Sequence, residues 1–123
     1  MSKSNILLID DEELCSNLYK ELLESKGFKV DVAQDGAEAL KKLKVKKPDL
    51  ILLDLVMPNM NGFDFLNVMK KQKNLSDVPV IVLSNLSQEI DKEQCKLFNI
   101  RKFLVKVEVT TDEIVESVKE VLK

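Results

Sequence analysis

Hydrophobic and polar positions along this 123-residue chain fall into two alternating rhythms. The runs Ile6-Leu7-Leu8-Ile9, Leu50-Ile51-Leu52-Leu53, Val80-Ile81-Val82-Leu83 and Phe103-Leu104-Val105 contain no polar residue, as strands of a parallel sheet buried on both faces do. Phe28, Val30 and Val32 instead alternate with polar residues, which predicts a strand less fully covered, at the sheet edge. Segments with helical spacing lie between the strands. Leu14, Leu18, Leu22 and Leu23 predict a first helix over about residues 12–26, stopped by Gly27. Asp35 with Glu38 reads as a capping box, opening a helix that buries Ala37, Leu40 and Leu43 and ends before Pro48. Phe65, Leu66 and Met69 mark a third helix. Ser87 is a candidate N-cap for a fourth, carrying Ile90, Leu97 and Phe98. Thr110 and Glu113 form a second capping-box pattern, before a last helix striped with Ile114, Val115, Val118, Val121 and Leu122.

Five alternations of strand and helix predict βα units, hence an α/β fold with a parallel sheet. Each fully apolar run stops at polar residues: Asp10-Asp11, Asp54, Ser84-Asn85 and Lys106. Open parallel sheets bind ligands beyond the carboxyl ends of their strands, so these separated residues are expected to share one crevice. Three carboxylates gathered there suit a hard divalent cation, and magnesium combines one or two carboxylates with water and phosphate oxygens. A carboxylate such as Asp54 can act as a nucleophile toward phosphorus. Lys106 can neutralise phosphoryl oxygens, and Ser84 can donate to them. Taken singly, each residue has a plainer use: Asp10-Asp11 as a helix cap, Asp54 as a solvated loop residue, Phe103 as a core aromatic.

Composition narrows the class. The chain is 45% hydrophobic and 33% charged, with 3 Gly and 3 Pro, which describes a compact domain; residues 1–123 read as one unit with room for a single core. The net charge of -2 offers no drive toward nucleic acid, and Lys41, Lys42, Lys44, Lys46 and Lys47 read as a solvated face. No direct nucleic-acid binding is expected. Cys15 and Cys95 suggest no disulfide framework. No apolar run approaches the ~18 residues needed to span a bilayer, so a cytoplasmic protein without membrane insertion is expected.

Together, residues 6–12, the stretch from Asp54 to Gly62, Ser84, and Phe103 to Lys106 resemble the receiver domain of two-component response regulators, over essentially the whole chain and in the family's order. The resemblance implies a flavodoxin-like doubly wound sandwich with five parallel strands in order 2-1-3-4-5 and five helices. It implies that Asp54 accepts a phosphoryl group from a phosphohistidine on a sensor histidine kinase or phosphotransfer protein. Asp11, Asp54 and the Val56 carbonyl would hold Mg2+, with Asp10 acting largely through water. Ser84, Lys106 and backbone amides near Asn85 would bind the phosphoryl oxygens, and Ser84 and Phe103 would switch the surface of the fourth helix, fifth strand and last helix toward an output partner. The chain thus reads as a stand-alone signalling receiver rather than an enzyme, with a constitutive binding module as the alternative. The lack of a second acidic residue in Asp54-Leu55-Val56 and of any His argues against a metal-dependent phosphatase. Val56 and Leu86, two beyond the acceptor and the switch hydroxyl, cannot hydrogen-bond an attacking water, so slow self-dephosphorylation is expected. The sequence departs from the family at Val107, where a proline usually follows the lysine through a cis bond, and at Asn85, where Ala or Gly is common. Without proline, a cis bond costs about 2.5–4 kcal/mol, so a trans Lys106-Val107 peptide is expected.

Overall fold

The computed structural model describes residues 3–57, 60, 62–85 and 96–123. Strands β1 (Asn5–Ile9), β2 (Lys29–Ala33), β3 (Leu50–Leu53), β4 (Val80–Ser84) and β5 (Ile100–Val105) form one sheet in the order β2-β1-β3-β4-β5. All neighbouring pairs are parallel. Helices α1 (Glu13–Ser25), α2 (Gly36–Val45), α3 (Gly62–Lys70) and α4 (Thr111–Leu122) accompany it. This is the flavodoxin-like doubly wound α/β fold, and α4 is the last helix expected from the sequence. Of the helix expected around Ser87 and Ile90, residues 86–95 lie outside the described set, with Leu86 and Cys95 among them.

The period of two along each strand divides the core into two layers. Leu7, Ile9, Ile51, Leu53, Val80 and Val82 pack on one side with Ala39 and Leu43 of α2 and Phe65, Leu66 and Met69 of α3. Ile6, Leu8, Leu50, Leu52, Ile81 and Leu83 pack on the other with Tyr19 and Leu23 of α1 and Ile114, Val115 and Val118 of α4. The half-polar strand β2 is an edge, as its alternation predicts.

Four local expectations are corrected. Leu14 and Leu18 were expected on the buried stripe of α1, yet they are exposed, and Ser16, Tyr19 and Leu23 are buried instead. The end of the helix fixes that rotation. Phe28 N–H donates to the Leu23 carbonyl at 3.2 Å and Gly27 N–H to that of Glu24 at 3.1 Å, a Schellman closure whose left-handed residue is Gly27 at φ 97°. Leu23 is thereby set inward, and residues four and seven before it follow. In α2, Ala37 is exposed and Ala39 is buried. Asp35 caps the Glu38 amide at 2.8 Å, but Glu38 turns back to Gln34 N–H, leaving half of the expected capping box. β5 begins three residues before Phe103, and a bulge skips Arg101 between the pairs Val80–Ile100 and Ile81–Lys102. The Thr110–Glu113 capping box is complete.

Candidate functional site

The sheet ladder continues one residue past three strands and thereby fixes the backbone of the site. Asp10 N–H donates to Ala33 carbonyl at 3.0 Å, Asp54 N–H to Ile9 carbonyl at 2.9 Å, and Lys106 N–H to Ser84 carbonyl at 3.1 Å. Asp10 and Asp54 then use their carboxylates alike. In each, Oδ1 accepts the amide two residues on, Glu12 N–H at 2.9 Å and Val56 N–H at 3.0 Å, a turn that short acidic side chains favour. Each Oδ2 accepts from Lys106 Nζ, at 2.6 Å for Asp10 and 3.0 Å for Asp54. Ser84 Oγ donates to Asp54 Oδ1 at 2.8 Å. The sequence-predicted residues Asp10, Asp54, Ser84 and Lys106 are thus brought into one network.

These charges are nearly dry. Asp10, Asp54 and Ser84 are buried, and the Lys106 side chain is 5% exposed. Burial pushes the Asp10 carboxyl above its usual range, against the opposing pull of Lys106. Burial alone would lower the Lys106 ammonium, but the hydrogen bonds it donates to Asp10 and Asp54 outweigh it and hold the proton well above the ordinary lysine range. Among the described residues, no buried polar side-chain atom lacks a partner.

Asp11 is exposed and lines a cleft of about 320 Å³ with Glu12, Asp54, Val56, Ser84 and Asn85. Its carboxylate enters no hydrogen bond or ion pair among the described residues. The Lys106-Val107 peptide is trans, as expected. Phe103 is half-buried against the α2 and α3 side of the core.

Glu12 escaped the sequence reading. Its Oε1 is 3.1 Å from Lys106 Nζ, its Oε2 accepts from Cys15 Sγ at 3.7 Å, and its carboxylate lies within 4.8 Å of those of Asp10 and Asp54. A signal was present: Glu12 occupies the N-cap of α1, where glutamate caps poorly, and its side chain indeed makes no cap bond.

A sheet whose strand ends hold two buried carboxylates on one lysine defines a class, and comparison identifies it. Residues 6–119 match the response regulator receiver domain. The chain belongs to this family. It is 40% identical over 87 residues to the alkaline phosphatase synthesis transcriptional regulatory protein PhoP of Bacillus subtilis, covering 71% of the chain and 35% of PhoP. The chain therefore spans about a third of that relative's length. Protein PilH of Pseudomonas aeruginosa is 34% identical over 105 residues, covering 84% of this chain and 85% of PilH. Among solved structures, response regulator TrrA of Thermotoga maritima in complex with Mg2+-BeF superposes with a TM-score of 0.82 at 32% identity, covering 96% of this chain and 98% of TrrA. Among the described residues no helix is long and apolar enough to cross a membrane.

Proposed function

We propose that the chain is a phosphoacceptor: Asp54 takes a phosphoryl group from a phosphohistidine, in the presence of Mg2+, and the modified surface changes its binding partners. The observation that carries this reading is the Asp54 carboxylate, buried at the base of an open cleft and held from two sides by Lys106 and Ser84. An Asp54 oxygen attacks phosphorus while the bond from phosphorus to the imidazole nitrogen breaks, and that nitrogen keeps the electron pair. Lys106 and Ser84, both already at the Asp54 carboxylate, donate to the phosphoryl oxygens as charge develops on them.

The donor set suits a hard cation, because the carboxylates of Asp10, Glu12 and Asp54 converge and Asp11 stands at the cleft with no partner among the described residues. Asp11, Asp54 and the Val56 carbonyl are assigned to hold it, with Asp10 acting through water. Such a cation supplies neutralisation of phosphoryl charge. The Mg2+-BeF bound to TrrA supports a site of this kind on the same fold.

Partner docking has support in the rim. Leu14, Val56 and Val107 are exposed, and each lies within two residues of Glu12, Asp54 or Lys106. An apolar collar of this sort fits a protein surface carrying the phosphohistidine, and the output partner is assigned to the face containing β5 and α4. The test is incubation with Mg2+ and a small acyl phosphate, followed by intact mass and peptide mapping. One phosphoryl adduct on Asp54 is expected. No adduct, with the cation shown to bind, would leave a constitutive binding module.

A further inference from the structure

Lys106 begins a turn in which four consecutive amides each find an acceptor. Lys106 N–H continues the sheet ladder to Ser84 carbonyl at 3.1 Å, while Glu108 and Val109 N–H both reach Val105 carbonyl, at 3.0 and 2.9 Å. Val107 N–H alone among them uses a side chain. It donates to Asn85 Oδ1 at 3.1 Å. Asn85 directly follows Ser84 and lines the cleft beside Asp54. The segments after β4 and β5 are therefore joined twice, once by main chain and once by this amide. The two positions that depart from the family pattern touch each other. A proline at 107 would fix its own φ and bring no N–H; valine leaves the turn freer and supplies a donor, which asparagine occupies.

We propose that Asn85 is a positioning residue for Lys106: its side-chain carbonyl pins Val107 N–H and so holds the turn from which the Lys106 ammonium reaches Asp54. The role rests on the phosphoacceptor reading given above. Nothing in it requires Asn85 to touch the phosphoryl group with its side chain. Lys106 must meet Asp10, Asp54 and Glu12 together at 2.6–3.1 Å, and a backbone shift of one ångström at its Cα is enough to lose one of them. With Val107 N–H released, the ladder bond from Lys106 remains but the following residue can rotate.

The test uses Asn85→Leu, which keeps the size and removes the acceptor, and Asn85→Ala, which also opens the cleft. In both, amide hydrogen exchange at Val107 should quicken by about tenfold, the scale set by one hydrogen bond, while the β4 and β5 amides keep their rates. Phosphoryl uptake from a small acyl phosphate with Mg2+ should slow roughly three- to tenfold in maximal rate, with the half-saturating donor concentration unchanged. Unaltered Val107 exchange in both variants overturns the latch. Faster exchange with undiminished uptake overturns the positioning role and leaves a purely structural bond. Faster uptake in Asn85→Ala does the same, since Asn85 would then be a steric cover over Asp54. A wild-type chain that takes up no phosphoryl group refutes the phosphoacceptor reading and the positioning role with it, whereas the exchange rates still judge the latch.

Discussion

Lys47 and Lys106 each hold a carboxylate at 3.0 Å, Lys47 that of Asp77 and Lys106 that of Asp54. The distances are equal and the physics is not. The Lys47 and Asp77 side chains are 46% and 73% exposed, so water and salt compete for both charges. The Lys106 and Asp54 side chains are 5% and 6% exposed, and Asp10 and Glu12 share the same ammonium. In the first pair the lysine anchors the chain after α2 to that before β4 at little cost or gain. In the second, three negative charges depend on one positive one, and removing it leaves buried charge unbalanced.

Four substitutions probe that contrast, from the largest effect to the smallest. Asp54→Asn should abolish phosphoryl uptake in an intact-mass assay while preserving the circular dichroism spectrum; undiminished labelling of this variant would remove Asp54 as acceptor. Lys106→Met should destabilise the fold by about 3–5 kcal/mol in urea, because Asp10 and Asp54 are left buried without a cation, and Mg2+ should restore part of the loss. Its pH dependence has a definite sign. A folded pKa above the ordinary 10.5 means that the Lys106 contribution is fully present below that value and is lost as pH rises through the raised one. The stability gap between wild type and Lys106→Met should accordingly stay level from neutral pH, where the partner carboxylates are charged, up to pH 10.5. A gap that already shrinks as pH rises from neutral toward 10.5 would show the ammonium to be less firmly held.

Gly62→Ala comes next. A Cβ there would stand 2.7 Å from the Leu55 Cα, so the chain at Leu55 or α3 must shift, at a cost of about 1–3 kcal/mol. Urea unfolding measures the cost, and an unchanged midpoint would mean that the chain there yields freely. Last, Lys47→Ala should leave the urea midpoint where it is. A clear drop would show that exposed pairs matter more in this chain than solvent screening allows.

The strands were legible because apolar runs bounded by Asp, Ser and Lys have few other uses in a chain of this size, and Leu50–Leu53 falls where the run lies. The rotation of α1 was not. Four leucines fit a helical stripe, but the Schellman closure at Gly27 sets Leu23 inward and leaves Leu14 and Leu18 in water. Helical spacing alone defines a stripe without saying which flank meets the sheet. At the site, Asp10, Asp54, Ser84 and Lys106 were readable from strand ends, which the topology must bring together. Glu12 was hidden by its place at a helix start, where acidic residues are common for other reasons. The Asn85–Val107 bond was unreadable in principle, since it joins residues 22 positions apart through an amide orientation.

The strand order has a further consequence for how the chain becomes folded. β2, β1 and β3 are adjacent and precede β4 and β5 in the chain, so this half of the sheet can pair before the other has been synthesised. It already contains Asp10 and Asp54. Their counter-charge arrives from 96 residues after Asp10, on the far side of β5. Until β5 docks, the emerging sheet carries an acidic notch with no lysine in it, and the closing step of assembly is also the step that balances charge. On the proposed reading of the site, a divalent cation would stand in during that interval. Refolding should therefore be faster in magnesium than in chelator, measured by stopped-flow fluorescence of Tyr19, and equal rates would mean that β5 joins before the two carboxylates are brought together.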